Sequence, residues 1–554
     1  MKSHRRTPKI SGIFVLILCF FPAVPGVAQD EARRLRAEDL AYQGAFAFPP
    51  GEEWAYSGQA LAYRPGGDPS GAADGHPGSL YAAGNATQDL VGEISIPEPV
   101  ATRDFAALPR ASVLRPLADV TGGWIGNCTY DEECVYREVD GLEYLPQTDK
   151  VIWNLRDWYN ATASDQDSLG WSEANLTGAR GVWHIGPRGD EAFHNAKTCN
   201  YLFTAPADFA SEHLDGKRLV AGNHREGGAL GGSQGPTLYA LAPWEDGSPP
   251  ASGQDLDAVP LLYYREFYEC VWEENGDIKA NPEPGVCDFP DYRAVDRWEG
   301  GAWARTASRS AVLIFGRKAL GDNCYGEQEE CSGDPCSIYR GYHGYPYEPR
   351  ILFYDPQDLQ NVLAGTRNPW EVLPYETYRP TSEVFDAQCG VLAAATWDEE
   401  RGLIYVAEQE AGPDGETAVH VWQVREDNGG REVLTVDSDD PRVTASYSPG
   451  QRVHIFCKAA QGRTLWVFVE APRILPGARM ARPSDEYCRT HGNRYLFPFS
   501  EGDEELYYAA SYGESKIDFG ENDLTGLGEL VVTVAQGDSS RSLETVQVVR
   551  LVEE

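Results

Sequence analysis

The sequence has almost no methionine and no long apolar stretch beyond its first residues. Two of its 554 residues are Met, and after residue 28 no run approaches the roughly 20 apolar residues that a membrane-spanning helix requires. Apolar heptads are missing too. These absences argue against a helical bundle, a coiled coil and a membrane span. Glycine, proline and tyrosine are abundant instead (57, 37 and 29 residues), which favours a turn-rich all-β chain.

Positive charge is also scarce. The chain has 47 basic against 85 acidic residues and a formal net charge of −38. Such a surface repels nucleic acid and anionic membranes over the screening length. We therefore expect no nucleic-acid partner, and the partner that remains is an extracellular glycan or another protein.

Several catalytic and metal-binding patterns are missing. The sequence contains no CxxC pair, no HExxH, no Walker loop and no EF-hand pattern. We predict no cofactor and no zinc site, while a structural calcium ion stays compatible with so acidic a chain.

The first 28 residues have the parts of a secretory signal. Basic residues at Lys2, Arg5, Arg6 and Lys9 precede an apolar run from residue 13 to 21, and Gly26-Val27-Ala28 fits a cleavage site. The mature chain is then secreted or periplasmic. Eleven cysteines follow in this oxidising setting, so most should form disulfides. Near pairs such as Cys128 with Cys134 and Cys270 with Cys287 are candidates, and the dense group from Cys324 to Cys336 should pin the aromatic loop after it.

A short repeat organises the chain. The stretch from residue 390 to 424 contains three apolar runs separated by turns, which is typical of an antiparallel meander. The unit recurs from residue 60 to 97, where Leu80-Tyr81-Ala82-Ala83 matches Ile404-Tyr405-Val406-Ala407. A small meander cannot bury its own apolar side, so we predict a β-propeller of six to eight blades over residues 29–554. A possible subdivision near residue 431 leaves a smaller propeller plus a β-sandwich as the alternative.

The repeat, an apolar residue, then Asp or Pro, then Gly before Leu-Tyr-Val-Ala, resembles that of secreted bacterial β-propellers. This resemblance implies a fold and no particular activity. We also predict that the last strand, within residues 544–554, closes the ring by pairing with a strand near residues 39–48, because closure removes exposed sheet edges.

Three loop regions have the composition of a ligand site. The first runs from Trp124 to Trp183 and includes Trp158, whose indole ring could stack on a sugar. The second contains His194, Tyr201, His224 and Arg225 among many glycines, which let a ligand approach the backbone. Equally, these residues could cap blade cores or stabilise turns.

The third region is a basic island in an acidic chain. It includes Arg293 and Arg317 and is followed by a tyrosine-rich loop with Tyr345. Positive charge here could attract an anionic ligand. A loop pinned by disulfides, with tyrosines packed on proline, explains the same residues without a ligand.

These residues support two enzyme hypotheses and one binding hypothesis. His194, His224 or Tyr201 could transfer a proton while Arg225, Arg293 or Arg317 neutralises a uronate carboxylate, which is similar to the arrangement in propeller-fold polysaccharide lyases. Two carboxylates could instead hydrolyse a glycoside, and the candidates for that pair are Asp140, Glu226, Asp296, Glu299 and Glu348. In the third hypothesis, the same loops bind a glycan or protein without turnover.

Overall fold

The computed structural model describes residues 33–425, apart from 74–75, 126–136, 158–164, 224–231, 243, 245–248, 266–270, 275–276, 281–286, 291, 332 and 338–339, and beyond residue 426 the strands named below. The chain divides into two compact units, Met1–Glu426 and Asp427–Glu554. The predicted signal segment lies outside the described residues. In the part that is described, no helix combines the length and apolarity needed to cross a membrane.

Among its described residues, the first unit contains five sheets of four or five strands, which we number as blades 1 to 5, and two two-stranded sheets. Strand β1 (Leu40–Ala47) comes first in the chain and belongs to blade 5. Blade 1 contains β2 (Leu61–Arg64), β3 (Ser79–Ala83), β4 (Val91–Ser95) and β5 (Val113–Ala118), and blade 2 contains β6 (Arg137–Leu145), β7 (Lys150–Asp157), β8 (Leu169–Glu173) and β9 (Arg180–Ile185). Blade 3 contains β10 (Leu202–Thr204), β11 (Leu219–Ala221), β12 (Leu238–Leu241) and β14 (Ala258–Leu262), and the short β13 (Asp255–Leu256) pairs with β9.

Blades 4 and 5 follow a hairpin. The hairpin consists of β15 (Val271–Glu274) and β16 (Asp277–Ala280). Blade 4 contains β17 (Arg297–Arg305), β18 (Ser310–Ala319), β21 (Tyr347–Tyr354) and β22 (Glu376–Tyr378), and between β18 and β21 the ribbon of β19 (Cys324–Gly326) and β20 (Gly341–His343) is inserted. Blade 5 contains β23 (Val391–Asp398), β24 (Leu403–Gln409) and β25 (Ala418–Val424) in addition to β1. Within each blade, neighbouring strands are antiparallel, except that the short strand β13 pairs with β9 of blade 2 in parallel.

Short helices lie in the connections. The α-helices are α1 (Asn195–Thr198), α2 (Ala207–His213) and α3 (Pro356–Leu363), and single 3-10 turns occur at Ala37–Asp39, Glu52–Trp54, Pro69–Ala73, Phe105–Ala107, Glu191–Phe193 and Pro369–Glu371. Asp355 caps α3 by accepting a hydrogen bond from the backbone N–H of Gln357 (2.9 Å), and Pro356 occupies its first turn.

The first strands of the five blades form a ring. These inner strands, β2, β6, β10, β17 and β23, each pack against the inner strands of the two neighbouring blades. Five apolar clusters fill the spaces between successive blades, and each draws side chains from two sheets. The cluster between blades 5 and 1, for example, combines Phe46, Leu61, Leu80, Tyr405 and Val419. The all-β, propeller-like fold is confirmed, with five blades where six to eight were predicted.

The ring closes at a different seam from the predicted one. Strand β1 pairs with β25 in blade 5, with Phe46 opposite Val419. The C-terminal strand, Glu544–Glu553, pairs instead with strands of the second unit. The prediction of closure by residues 544–554 is therefore wrong. Alternating apolar residues indicate a strand but do not specify which distant strand it pairs with.

The repeat that was recognised in the sequence marks equivalent strands. Leu80–Ala83 lies in β3 and Ile404–Ala407 in β24, and both are the second strand of their blade. Tyr81 and Tyr405 are fully buried at matching positions. The sequence match therefore reports a true structural repeat between blades 1 and 5.

Disulfides hold the aromatic loop, as predicted. Cys324 is bonded to Cys331, and Cys336 is bonded to Cys389 just before β23. Cys287 also lies in a disulfide. Cys128, Cys134 and Cys270 lie outside the described residues. Cys199 is a buried thiol that accepts a hydrogen bond from Asn195 Nδ2 (2.8 Å).

The second unit contains two further sheets. Its strands are β26 (Leu434–Val436), β27 (Arg442–Tyr447), β28 (Val453–Lys458), β29 (Thr464–Glu470), β30 (Tyr495–Phe497), β31 (Glu505–Ser511), β32 (Glu514–Phe519), β33 (Glu529–Gly537) and β34 (Glu544–Glu553). One sheet has the order β26-β28-β32 and the other β27-β34-β33-β29-β31-β30. Both contain one parallel pair of strands among antiparallel ones.

Candidate active site

A polar cavity of about 180 Å³ opens where the inner strands begin. It collects residues just before β2 and β10, at the start of β6 and β17, and at the ends of β7 and β24. These positions belong to one face of the ring. The inner strands start on this face, and the second strand of each blade, which runs antiparallel to the inner strand, ends there. The cavity is lined by Tyr56, Ser57, Gln59, Ala86, Glu138, Asp140, Arg156, Asn200, Arg297, Glu299, Gln409 and Glu410. We refer to it below as the channel-mouth cavity.

Two carboxylates of this cavity are placed by β-bulges. In β6, Val139 pairs with Leu155 and Gly141 with Asn154, so Asp140 is the extra residue. In β17, Trp298 pairs with Gly316 and Gly300 with Phe315, so Glu299 is the extra residue there. A bulge bends its strand and redirects the extra side chain, and bulges are enriched beside active sites. Blades 2 and 4 therefore present an acid from equivalent positions.

The glycine after each acid permits this geometry. A Cβ on Gly141 would lie 2.1 Å from the carbonyl oxygen of Asn200, and one on Gly300 would lie 2.0 Å from that of Ala393. Only glycine allows the neighbouring inner strand to approach so closely.

Each acid is accompanied by an arginine. Arg156 donates to Glu138 Oε2 through Nη2 (2.5 Å) and Nε (3.2 Å), and its Nε is also in contact with Asp140 Oδ2. Arg297 Nε and Nη2 each lie 2.6 Å from Glu299 Oε1, and Nη2 also donates to Gln409 Oε1 (3.3 Å). These charge-assisted contacts fix both carboxylates in place.

The two acids differ in their ionisation. Burial raises the pKa of Asp140 to about 8, although the charge of Arg156 acts in the opposite direction. Burial also acts to raise the pKa of Glu299, but the charges of Arg297 and Arg156 outweigh it and hold that pKa below its usual value. The cavity therefore holds two carboxyl groups whose pKa values are shifted in opposite directions, the combination that acid–base catalysis needs.

Two buried amides complete the cavity wall. Asn200 Nδ2 donates to Asp140 Oδ2 (3.3 Å), and Gln59 Nε2 donates to the carbonyl oxygen of Gly84 (3.2 Å). Among the described residues, Asn200 Oδ1, Gln59 Oε1 and Asp140 Oδ1 have no hydrogen-bond partner, although all three atoms are shielded from solvent. Buried polar atoms usually have partners, so these three atoms indicate a ligand or ordered water.

An aromatic ring and an acid form the rim of the cavity. Tyr56 is 55% exposed, and its ring lies over Gly415, where a Cβ would come within 2.5 Å of it. Tyr56 and Glu410 both have positive φ (52° and 54°). Such backbone conformations are uncommon outside glycine and often occur at functional sites.

Five site residues predicted from the sequence lie elsewhere or outside the described residues. His194 Nδ1 accepts a hydrogen bond from the backbone N–H of Ala196 (3.1 Å) and caps α1. The hydroxyl of Tyr201 donates to the carbonyl oxygen of Thr237 (2.8 Å) inside the core between blades 3 and 4. Neither side chain lines the channel-mouth cavity. The other three lie outside the described residues; they are His224, Arg225 and Trp158.

The remaining three predicted residues lie in or beside the tyrosine-rich loop that contains Tyr345. Arg293 Nε donates to the carbonyl oxygen of Gly321 (3.2 Å), and Tyr345 donates to Gln388 Oε1 (3.3 Å). Arg317 stacks on Tyr347, with 4.0 Å to the ring centroid, and donates to the carbonyl oxygen of Cys389 (2.9 Å). Its charge also helps to lower the pKa of Glu299. Arg317 therefore acts on the cavity without lining it.

Two of the five candidate carboxylates meet in the cavity, and these are Asp140 and Glu299. Asp296 is instead buried in an ion pair with Lys318 (2.8 Å), and Glu348 accepts from Arg350 and Arg379. Glu226 lies outside the described residues. The sequence contains a signal that these two acids share, because Val139-Asp140-Gly141 and Trp298-Glu299-Gly300 have the order apolar, acidic, glycine at the start of an inner strand.

Ser233 also occupies the middle of a G-x-S-x-G sequence, from Gly231 to Gly235. A nucleophilic serine in that motif sits on a sharp turn between a strand and a helix. Here the stretch joins β11 to β12, and Ser233 Oγ is buried and accepts from the backbone N–H of Tyr264 (2.9 Å). Its role is structural.

In the part of the chain that is described, no three His, Cys, Asp or Glu side chains are grouped to hold a metal ion.

Comparisons with known proteins add little. No family model and no curated protein matches the sequence. Among solved structures, the chain is similar to Trypanosoma rangeli sialidase in complex with the inhibitor DANA, with 8% identity, a TM-score of 0.28 and coverage of 93% of this chain and 88% of that chain. At that TM-score the likeness carries no argument about the site.

Proposed function

We propose that this protein is an exported glycoside hydrolase that acts at the channel-mouth cavity, with Asp140 as general acid and Glu299 as its ionised partner. The observation that carries the proposal is the placement of two buried carboxylates in one cavity with opposite pKa shifts. Glycosidases use such a pair, in which one group is protonated and the other ionised.

The chemistry follows from the two protonation states. Asp140 donates its proton to the glycosidic oxygen as the bond from that oxygen to the anomeric carbon breaks, and the leaving sugar departs as an alcohol. The ionised Glu299 stabilises the positive charge that develops on the sugar ring. Water then adds to the anomeric carbon and gives a proton to the Asp140 carboxylate, which restores the general acid. Arg156 and Arg297 hold the two carboxylates in place.

The rim supports a sugar as the ligand. The exposed ring of Tyr56 offers an apolar surface for a pyranose face. Gln59 Oε1 and Asn200 Oδ1 can accept hydrogen bonds from its hydroxyl groups. Disulfides such as that between Cys336 and Cys389 fit a protein exported to an oxidising compartment.

A non-catalytic glycan receptor is the second candidate. It is favoured by the ion pairs of Arg156 and Arg297, which also satisfy the carboxylates without any reaction.

Elimination by His194, His224 or Tyr201, with Arg225, Arg293 or Arg317 neutralising a uronate, stays a prediction. Its products are unsaturated and absorb ultraviolet light, so one assay distinguishes it from hydrolysis.

The test compares Asp140→Asn and Glu299→Gln with the parent on a panel of polysaccharides. We expect reducing ends to appear with the parent and to fall by about 10²–10⁴-fold in each variant, while binding persists. Glu98→Gln, an exposed acid outside the cavity, is the control. A parent that binds but releases no reducing ends indicates the receptor. Release by Asp140→Asn at the parental rate would sink the proposal.

A further inference from the structure

The channel-mouth cavity has unused hydrogen-bond acceptors. Gln59 and Asn200 are 7% and 2% exposed, and their amide oxygens have no donor among the described residues. The NH₂ group of Gln59 donates to the carbonyl oxygen of Gly84, and that of Asn200 donates to Asp140 Oδ2. These hydrogen bonds determine which end of each amide is the nitrogen and which is the oxygen. Both oxygens are shielded from solvent, so a ligand reaches them only where the cavity wall yields, and it must then supply donors, because a buried acceptor left without one is costly.

The positive charges of the cavity are already engaged. The Arg156 guanidinium is held by Glu138 and Asp140, and that of Arg297 by Glu299 and Gln409. By contrast, Glu410 at the rim is exposed, and among the described residues no hydrogen bond or ion pair involves its side chain. Among the described residues that line the cavity, four acidic side chains (Glu138, Asp140, Glu299 and Glu410) stand against two arginines.

Two further arginines that are described, Arg317 and Arg293, are engaged elsewhere. Arg317 binds the carbonyl oxygen of Cys389 and the ring of Tyr347, and Arg293 binds the carbonyl oxygens of Gly321 and Tyr292. Recognition of a carboxylate or sulfate group normally uses an arginine whose donors are available to it. The chain as a whole also has a net charge of −38, which repels anions from the cavity mouth.

We infer that the channel-mouth cavity selects an uncharged, hydroxyl-rich glycan and excludes uronate-containing and sulfated glycans. The inference rests on the proposed function and adds the substrate class to it. Gln59 and Asn200 determine specificity by accepting hydrogen bonds from sugar hydroxyls. Glu410 repels acidic glycans at the rim.

Matched oligosaccharides test the inference. Hexamers of glucan, galactan and mannan are compared with hexamers of glucuronan, galacturonan and mannuronan, for binding by calorimetry and for release of reducing ends. We expect the preferred neutral hexamer to bind and be cleaved at least 10-fold better than its uronate counterpart. The opposite order overturns the inference but leaves hydrolysis at this site intact. If no hexamer is bound or cleaved, the proposed function fails as well.

Charge variants at the rim provide the second test. In Glu410→Gln the ratio of uronate to neutral binding should rise by roughly 3- to 10-fold, because one negative charge is lost beside the ligand, and Glu410→Lys should raise it further. Glu98→Gln removes the same charge elsewhere and should leave the ratio unchanged. An equal ratio in all of these proteins would mean that Glu410 does not exclude acidic glycans, and the inference would fall.

Discussion

At the scale of single residues, the titration of Asp140 predicts the pH dependence of activity. Burial raises its pKa to about 8, so the general acid holds its proton at neutral pH and loses it in mild alkali. We expect the turnover number to fall as pH rises through about 8, and to fall on the acid side only below the usual range of a glutamate, where Glu299 takes up a proton. A pH profile of kcat measures both limits.

Glu143, another carboxyl group whose pKa is raised, supplies the control for this pH profile. Burial between blades 2 and 3 also raises the pKa of Glu143 to about 8, although Glu143 accepts a hydrogen bond from Thr204 (3.1 Å) and does not line the cavity. Glu143→Gln should leave the alkaline limit of kcat in place, since Asp140 still titrates. If the limit disappears in that variant, the fall in activity reports a change in blade packing and not the loss of the catalytic proton.

The same group makes stability depend on pH. Between about pH 4 and pH 8 the folded protein keeps a proton on Asp140 that the unfolded chain has released. The free energy of unfolding should therefore decrease as pH rises through this window, since the folded state binds more protons. In Asp140→Asn the decrease should be smaller, as urea denaturation at pH 5 and pH 8.5 can show. An unchanged slope would contradict the raised pKa.

The sequence allowed part of this site to be predicted. Asp140 and Glu299 were among five candidate acids, but their partnership depends on two bulges more than 150 residues apart in the chain. Composition instead directed attention to the rare histidines and to glycine-rich loops. His194 and Tyr201 are buried groups that form hydrogen bonds with backbone atoms outside the cavity, and the rarity of a residue type did not show where in the fold it would lie.

At the scale of elements, the inner-strand bulges decide where the acids lie. Gly141→Ala would bring a methyl group against the carbonyl oxygen of Asn200, and we expect it to lower the free energy of unfolding by about 1–3 kcal/mol and to reduce activity. Gly341→Ala in β20 has nothing within 4 Å of its Cβ and should change stability by about 0.5 kcal/mol or less. Urea denaturation compares the two. Equal effects would mean that close strand contact does not position Asp140.

The elements themselves were easier to predict than their partners. The match between Leu80–Ala83 and Ile404–Ala407 located second strands correctly, because buried β-strands have a local apolar pattern. Disulfide partners did not follow from spacing, since Cys336 bonds to Cys389 across two strands of blade 4. Long-range pairing depends on how blades pack, and a local pattern contains no record of it.

At the scale of the whole molecule, the blade number depended on information that the repeat did not contain. Blades differ in the length of their insertions, as in the 27 residues between β18 and β21 that hold the ribbon of β19 and β20. The strands beyond residue 426 are short apolar runs, as the propeller strands are, but they build separate sheets. Counting apolar runs over the whole chain therefore gave too many blades and placed the closing strand in the wrong unit.

Closure of the ring by β1 gives a prediction about cooperativity. Phe46 is fully buried in the cluster between blades 5 and 1, so Phe46→Ala should cost about 3–5 kcal/mol. Because each inner strand packs on two neighbours, loosening this seam should raise hydrogen exchange in all five inner strands together. Leu114→Ala, at a 39% exposed position on β5, is the control and should change neither quantity appreciably. Faster exchange in blade 5 alone would show that the blades open one at a time, and that the acids of blades 2 and 4 keep their geometry without the closed seam.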